Sequence, residues 1–304
     1  MREISCLHWR FVRHILTWGS ASAAEGASQP VRIFALLAKQ QEEGMVTIMK
    51  VFVLENGMNH NSIKNELIAC DDPNETFSFP SWTVLIMHPE GNILFDAACH
   101  KESWQLPFIM QNLHMTEEDT PMFRIGQLEL KPEDIKYIVL SHMHPDHHGY
   151  IDRFPNAEII VSDDEFTNMM KLYALGNIDF GQDFTYFIEK KLKWKLYPSD
   201  QKTQKLMEGV TIYNFGRGHS FGQLGLFLEL PKTGNKLLIS DVIYSSENVG
   251  PPVREPGRCM DMPAWHKHVE EVPKLAKELN AEIWYGHDLA QFETLIKSTQ
   301  GYYE

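Results

Sequence analysis

The fold is decided by Ser141-His142-Met143-His144-Pro145-Asp146-His147-His148-Gly149, which directly follows the apolar run Tyr137-Ile138-Val139-Leu140. A short β-branched run of this kind is typical of a buried strand. Side chains two positions apart on an extended segment point to the same side, so His142 and His144 can approach one metal ion together. The turn after them can present Asp146 and His147 to a second ion. Imidazole nitrogens and carboxylate oxygens suit zinc, iron or manganese.

Three further side chains of ligand type stand at the ends of apolar runs. His219 follows residues 210–215, Asp241 follows residues 237–240, and His287 follows Trp284-Tyr285-Gly286. Functional residues are often placed on loops that a rigid scaffold positions. Each of the three alone could be a helix cap or a satisfied polar group. Together with the histidine stretch they complete a set of metal ligands.

The rest of the pattern alternates strands with helices. His88-Pro89-Glu90-Gly91 joins two β-rich runs and predicts an antiparallel hairpin. Helices are predicted at residues 163–175 and 266–279, where Pro273 should kink the second helix or delay its start. Residues 176–209 are interpreted as an irregular cap or insert. Strands are predicted at residues 49–54, 82–87, 92–95, 137–140, 157–161, 210–215, 224–230, 236–240 and 283–285.

This mixture of hairpins and strand-helix units predicts two sheets covered by helices within one domain. The first 48 residues differ from the rest, since they hold five basic and four acidic side chains. Arg10 and Arg13 interrupt what should be the uncharged part of a secretory signal. Residues 1–48 are therefore interpreted as a disordered extension, or as sequence ahead of a true start at Met45 or Met49. Residues 49–304 are interpreted as the folded domain.

Composition and charge exclude several partners. The 304 residues carry 28 basic and 41 acidic side chains, a net charge of -13, so neither a nucleic acid nor an anionic membrane surface is expected. No apolar run approaches the roughly 18 residues that span a membrane. The four dispersed cysteines, Cys6, Cys70, Cys99 and Cys259, favour reduced thiols and a cytoplasmic protein.

The ligand pattern resembles that of a known family, the metallo-β-lactamase fold hydrolases. Their signature HxHxDH is present as His142-Met143-His144-Pro145-Asp146-His147, and the resemblance covers residues 49–304. It implies an α/β (α+β) fold, an αβ/βα sandwich of two mixed sheets flanked by helices. It also implies two divalent metal ions, expected to be zinc. One ion would be bound by His142, His144 and His219, the other by Asp146, His147 and His287, with Asp241 bridging them.

Within that superfamily the chain looks most like the N-acyl homoserine lactonases, whose relatives include enzymes that open other lactones such as pyridoxolactone. Tyr244 stands three residues after Asp241, followed later by Tyr285-Gly286-His287-Asp288. In the lactonases a tyrosine at this offset faces the substrate carbonyl. The implied function is hydrolysis of a lactone ring, with an N-acyl homoserine lactone as the expected substrate and quorum quenching as the expected role.

The expected chemistry needs no serine or cysteine nucleophile. Two divalent ions can lower the pKa of a shared water toward neutrality and supply hydroxide. Metal charge and the Tyr244 phenol can hold the oxyanion that forms on the carbonyl. By resemblance Asp146 is both a ligand and the acid that returns a proton to the leaving ring oxygen; the alternative is a ligand role alone.

Other functions stay open at this stage. The nearest alternative is another dimetal hydrolase of the fold, such as a hydroxyacylglutathione-type thioesterase or a pyridoxolactonase. A non-catalytic metal sensor is the alternative from a different class. The substrate is expected to be a small molecule, and the chain a monomer or a homodimer.

Several residues outside the ligand set carry expectations of their own. Asp96 is expected to hydrogen-bond a ligand histidine, and His266 and His268 are expected to be exposed on their helix. Apolar side chains of connecting segments could line an acyl groove: Met58, Phe79, Trp82, Phe108, Met110, Met122 and Phe123.

Overall fold

Two β-sheets form the centre of the protein in a computed structural model that describes residues 49–100, 112–176 and 190–304. The first sheet contains β1 Lys50–Ile63, β2 Thr76–Met87, β3 Asn92–Phe95, β4 Leu113–His114, β5 Ile135–Val139, β6 Glu158–Ser162 and β7 Lys193–Tyr197. The second contains β8 Thr203–Met207, β9 Val210–Gly216, β10 Gln223–Leu228, β11 Asn235–Ser240 and β12 Ala281–Tyr285. The strand orders are β4-β1-β2-β3-β5-β6-β7 and β12-β11-β10-β9-β8.

Both sheets are mixed. In the first, β1 pairs antiparallel with β2 and β4, and β2 with β3, whereas β3, β5, β6 and β7 run parallel. In the second, β8 to β11 are antiparallel, and β12 runs parallel to β11. Parallel neighbours end at the same edge of a sheet, so the loops after β3, β5 and β6 lie side by side.

In the described ranges six α-helices accompany the sheets: α1 Pro121–Gly126, α2 Pro145–His148, α3 Asp163–Ala174, α4 Ser246–Val249, α5 Met262–Glu278 and α6 Leu289–Thr294. Helix α3 contributes Met169 to a cluster with strands of the first sheet. Helix α5 contributes Trp265 and Val269 to a cluster with β11 of the second sheet. Within the described ranges no helix combines the length and apolarity needed to cross a bilayer.

The alternation of side chains along β1 shows how the layers are held together. Val51 and Val53 point into a core that also contains residues of the second sheet. Phe52 and Leu54 point to the opposite face, where they join the cluster that includes α3. Burial on both faces explains why β1 reads as continuously apolar at its start. The result is helix, sheet, sheet and helix in layers, which confirms the predicted fold class.

Most predicted strands are present, and the hairpin is confirmed by the antiparallel pairing of Val84 with Phe95. The interpretation of residues 176–209 as an irregular cap or insert was wrong in part, since β7 and β8 lie within this range. Both are edge strands whose lysines face solvent, so they lack the apolar alternation of inner strands. The predictions for residues 1–48 lie outside the described residues.

The predicted start of helix α5 was also wrong. The helix begins at Met262, because the Asp261 carboxylate accepts a hydrogen bond from the Ala264 N–H (3.0 Å) and Pro263 fits the first turn. It then continues through Pro273 to Glu278. Packing of its apolar face against the second sheet therefore outweighs the local cost of the proline.

Replacing Pro273 with alanine is expected to stabilise the protein. Proline inside α5 has no N–H for the preceding turn, and its ring crowds a carbonyl of that turn. We expect the free energy of unfolding, measured by urea denaturation, to rise by about 1 to 2 kcal/mol. Lys274→Ala at the exposed neighbouring position is the control and should change it by less than about 0.5 kcal/mol. A lower free energy of unfolding in Pro273→Ala would contradict this reasoning.

Candidate metal centre

Loops from both sheets meet at one edge of the sandwich. The segment after β5, which includes α2, carries His142 to His147, and the loop after β9 carries His219. Asp241 follows β11 directly, and His287 follows β12. The fold therefore brings together all seven of the predicted ligand residues, although they lie far apart in sequence.

The first group contains His142, His144, His219 and Asp241, whose ligand atoms all lie within 4.8 Å of one another. Nε2 of His142 is 2.9 Å from Nδ1 of His144, and Nε2 of His219 is 3.2 Å and 2.8 Å from these two nitrogens. Zinc bonds to nitrogen of about 2.0 to 2.1 Å place two ligands roughly 3.3 Å apart around a tetrahedral ion. The spacing is close to what such an ion requires.

The second group contains Asp146, His147 and His287. Oδ2 of Asp146 is 3.5 Å from Nε2 of both histidines. Asp241 lies between the two groups: Oδ1 is 3.3 Å from Nε2 of His287, and Oδ2 is 3.5 Å from Nε2 of His219. One carboxylate can therefore contact two ions at once.

The electrostatics of the group fit a bound cation. Burial lowers the pKa of His142, His144 and His219, which keeps these imidazoles neutral, the form that coordinates metal. Burial alone would lower the pKa of His147 and His287 too, but the adjacent carboxylates raise it. Nε2 of His147 and Oδ1 of Asp241 are buried without a hydrogen-bond partner. Divalent cations would satisfy these atoms and balance the carboxylates.

Hydrogen bonds fix the orientation of the histidine rings. Nδ1 of His147 is 2.9 Å from the Asp96 carboxylate, which also accepts the backbone N–H of Ser141 at 2.7 Å. Nδ1 of His287 donates to the carbonyl of Pro80 at 2.9 Å. In both rings Nε2 is thereby directed toward the other ligand atoms. The contact predicted for Asp96 is confirmed.

Tyr244 lies beside the first group and is almost fully buried. Its hydroxyl is 2.8 Å from Nδ1 of His219, a nitrogen that is also 3.2 Å from the carbonyl of Arg258. Burial raises the pKa of Tyr244 well above its ordinary value, so the neutral phenol is the stable form. The tyrosine therefore offers a hydrogen-bonding group at the edge of the cluster.

A cavity of about 360 Å³ opens onto the cluster. Its floor is formed by candidate ligands together with Tyr244, and apolar side chains line part of its wall: Leu67, Phe79, Leu113 and Met260. The wall also contains Asn59, Asn112 and the ion pair Arg258–Glu66, with 3.1 Å between its atoms. These polar residues had no sequence signal, because only the fold brings them beside the histidines.

Of the described side chains that were predicted to line a groove, Phe79 alone lines this cavity. Phe108 and Met110 lie outside the described residues. Trp82 and Met122 pack into apolar clusters rather than lining the cavity beside the ligand cluster. Phe123 is 39% exposed, and Met58 belongs to β1; neither lines this cavity.

The expectation for His268 was wrong. The side chain is 8% exposed, and its Nε2 is 2.7 Å from the carbonyl of Arg217. It packs against Gly218, beside the loop that carries His219. The helical pattern could not show this, since the contact depends on how α5 lies on the loop after β9. His266 is partly exposed and pairs with Glu255.

Residues 77–227 match the sequence profile of the metallo-beta-lactamase superfamily. The chain is 34% identical over 236 residues to N-acyl homoserine lactonase AiiB of Rhizobium rhizogenes, covering 74% of this chain and 85% of that protein. The chain belongs to the N-acyl homoserine lactonase family of that superfamily. It is also 27% identical over 257 residues to an N-acyl homoserine lactonase of Bacillus thuringiensis, covering 81% and 96% of the two chains.

Solved structures share the fold. One is an N-acyl homoserine lactone hydrolase with N-hexanoyl-L-homoserine bound at its catalytic metal centre; the TM-score is 0.70 at 24% identity, covering 85% of this chain and 100% of that chain. Another is the dizinc quorum-quenching lactonase AidC, with a TM-score of 0.61 at 17% identity, covering 81% and 89%.

Alanine at Gly286 is expected to weaken metal binding. A Cβ at this position would overlap Oδ1 of Asp241 and lie 2.9 Å from the backbone carbonyl carbon of Ser240, so the carboxylate would have to move. We expect zinc affinity, measured by competition with a chromophoric chelator, to fall about tenfold or more. Gly126→Ala is the matched control, since nothing lies within 4 Å of a Cβ there. Equal affinity of Gly286→Ala and the parent protein would argue against a ligand role for Asp241.

Proposed function

We propose that this chain is a dinuclear metal-dependent hydrolase that opens N-acyl homoserine lactones and so degrades quorum signals. The observation that carries the proposal is the pair of ligand groups joined by Asp241 on the floor of a cavity. The similarity to a protein named N-acyl homoserine lactonase over 74% of the chain supports the choice of substrate. Residues 49–304 are assigned to the hydrolase domain.

In this proposal His142, His144 and His219 bind one ion, Asp146, His147 and His287 bind the other, and Asp241 contacts both. Zinc is the proposed metal, because the donor set is imidazole and carboxylate and the related AidC is a dizinc lactonase. When bound, the pair would activate a water molecule and polarise the lactone carbonyl.

Tyr244 is proposed to stabilise the charge that develops on the carbonyl oxygen. Nε2 of His219 faces the other histidines, so its proton lies on Nδ1, where it can be donated to the phenol oxygen at 2.8 Å. This leaves the phenol O–H to donate to a substrate in the cavity. The hydrogen bond from the Tyr244 phenol to the substrate is effective because the phenol is held in position before the reaction begins.

Asp146 is proposed to carry a proton between the attacking water and the leaving ring oxygen. Its side chain is 30% exposed and lines the cavity, whereas that of Asp241 is 3% exposed. Burial alone would raise the pKa of Asp146, but His147 and His287 hold it well below its usual range. The carboxylate therefore holds a proton only briefly and returns it to the alkoxide.

The cavity suits a small neutral ligand with an apolar tail. Leu67, Phe79 and Met260 provide an apolar wall for an acyl chain, and the floor of candidate ligands receives the lactone ring.

Cys70, Cys99 and Cys259 form no disulfide among the residues described. We propose a cytoplasmic location on the strength of these thiols.

A substrate panel tests the proposal. Purified protein of known zinc content should hydrolyse N-hexanoyl homoserine lactone faster than 4-pyridoxolactone, S-lactoylglutathione or a phosphodiester, with initial rates followed by release of acid. A preference for the thioester would instead support a hydroxyacylglutathione-type enzyme, and a preference for the aromatic lactone a pyridoxolactonase. Metal binding without turnover of any substrate would favour a sensor.

Tyr244→Phe tests the hydrogen-bond donor. Loss of the phenol O–H should lower kcat on the acyl lactone about 100-fold, with a smaller change in KM, because the bond strengthens in the transition state. Tyr213→Phe, on β9 away from the cavity, is the control and should keep kcat within about twofold. An unchanged kcat in Tyr244→Phe would remove Tyr244 from the mechanism.

A further inference from the structure

A carboxylate outside the ligand set lies fully buried beside the metal centre. Glu165 is 0% exposed and belongs to the first turn of α3. In the described part of the chain, the hydrogen-bond partners of the Glu165 carboxylate include no lysine or arginine. Burying a carboxylate in this way is unfavourable unless hydrogen bonds satisfy it, so its partners show what the residue does.

All of these partners belong to two loops that carry candidate ligands. Oε1 accepts the backbone N–H of Met143 at 2.8 Å, and Met143 lies between His142 and His144. Oε2 accepts the N–H groups of Phe221 and Gly222, both at 3.0 Å. The hydroxyl of Ser220, the residue after His219, lies 2.8 Å from Oε1 and 2.7 Å from Oε2.

The surroundings hold this carboxylate in one place. A side chain at Gly222 would overlap Oγ of Ser162 and lie 3.0 Å from the backbone nitrogen of Glu165, so the loop can approach the start of α3 only with glycine there. On the next turn of α3, Met169 is buried in the apolar cluster against the first sheet. The helix thus fixes Glu165, and Glu165 in turn fixes the two loops relative to each other.

We infer that Glu165 is the positioning residue of the three-histidine group. It sets the distance between the pair His142–His144, which follows β5 in the first sheet, and His219, which follows β9 in the second. The inference rests on the proposed metal centre but concerns one half of it, since the bonds of Glu165 reach neither Asp146 nor His287. Its loss should therefore weaken one metal site more than the other.

Zinc and cobalt binding by purified, metal-stripped protein tests this role. Glu165→Gln keeps the size of the side chain but places an NH₂ group against N–H and O–H donors. We expect the affinity of one of two Zn²⁺ ions to fall about 10- to 100-fold, as for other partners of metal-binding loops, while the affinity of the second changes less than about threefold. The visible absorption of bound Co²⁺, which reports ligand geometry, should change for the weakened site only.

Matched variants separate positioning from general stability. Asp164→Asn changes the neighbouring carboxylate, which makes no described hydrogen bond with either loop, and should bind both ions as the parent does. Ser220→Ala removes one donor and should weaken the same site by a smaller factor, which keeps the inference testable if Glu165→Gln fails to fold. The melting temperature of each metal-free variant shows whether folding alone has changed.

The outcomes also separate this inference from the proposed function. Equal affinities of Glu165→Gln and the parent protein, or equal losses at both sites, would overturn the positioning role even if the parent opens lactones. Conversely, a parent that binds two ions but hydrolyses no lactone would overturn the proposed function, while a selective loss in Glu165→Gln would still support the positioning role.

Discussion

The structure depends on one constraint, the crowding of lone pairs at the meeting point of the two sheets. Nitrogens of His142, His144 and His219 lie 2.8 to 3.2 Å apart. For His219, as for His147 and His287, the other ring nitrogen faces an oxygen outside the cluster. Burial keeps His142, His144 and His219 neutral. A neutral imidazole has a single N–H, so the crowded nitrogens of these three rings have too few protons to satisfy one another. Cations are the partners that make such an arrangement favourable, and burial makes the requirement stronger.

Holding these groups together imposes strain on the backbone beside them. Asp96 and Ser240 both adopt positive φ angles, 65° and 49°, in the left-handed region. Such residues cost about 1 to 3 kcal/mol each and persist when the surroundings determine them. Here the surroundings are hydrogen bonds across the sheets: Ser240 donates to Asp96 at 3.2 Å, and Asp96 accepts from Ser141 at 2.7 Å. The same carboxylate that orients His147 therefore stabilises the strained loop before Asp241.

Sequence reasoning located the candidate ligands because spacing and strand ends are local signals. The pattern from His142 to His147 needs only an extended segment and a turn, and a buried strand is visible as an apolar run. Glu165 was missed, because a glutamate in the first turn of a helix is ordinary and its partners are backbone N–H groups that only the tertiary fold supplies. The pairing of Arg258 with Glu66 is equally non-local. Edge strand β7 was missed because its lysines resemble those of a surface loop.

The charge of the cavity wall bears on which lactone fits. Among the described residues that line the cavity, Arg258 is the sole arginine or lysine, and its guanidinium lies 3.1 Å from the Glu66 carboxylate. A lactone bearing its own carboxylate would have to compete with Glu66 for that group and would also approach Asp146. A neutral acyl lactone neither competes with Glu66 for Arg258 nor brings a negative charge near Asp146. Its acyl chain can displace water from Leu67, Phe79 and Met260. The wall therefore favours the acyl lactone over an aromatic lactone acid, a distinction that the candidate metal ligands alone cannot make.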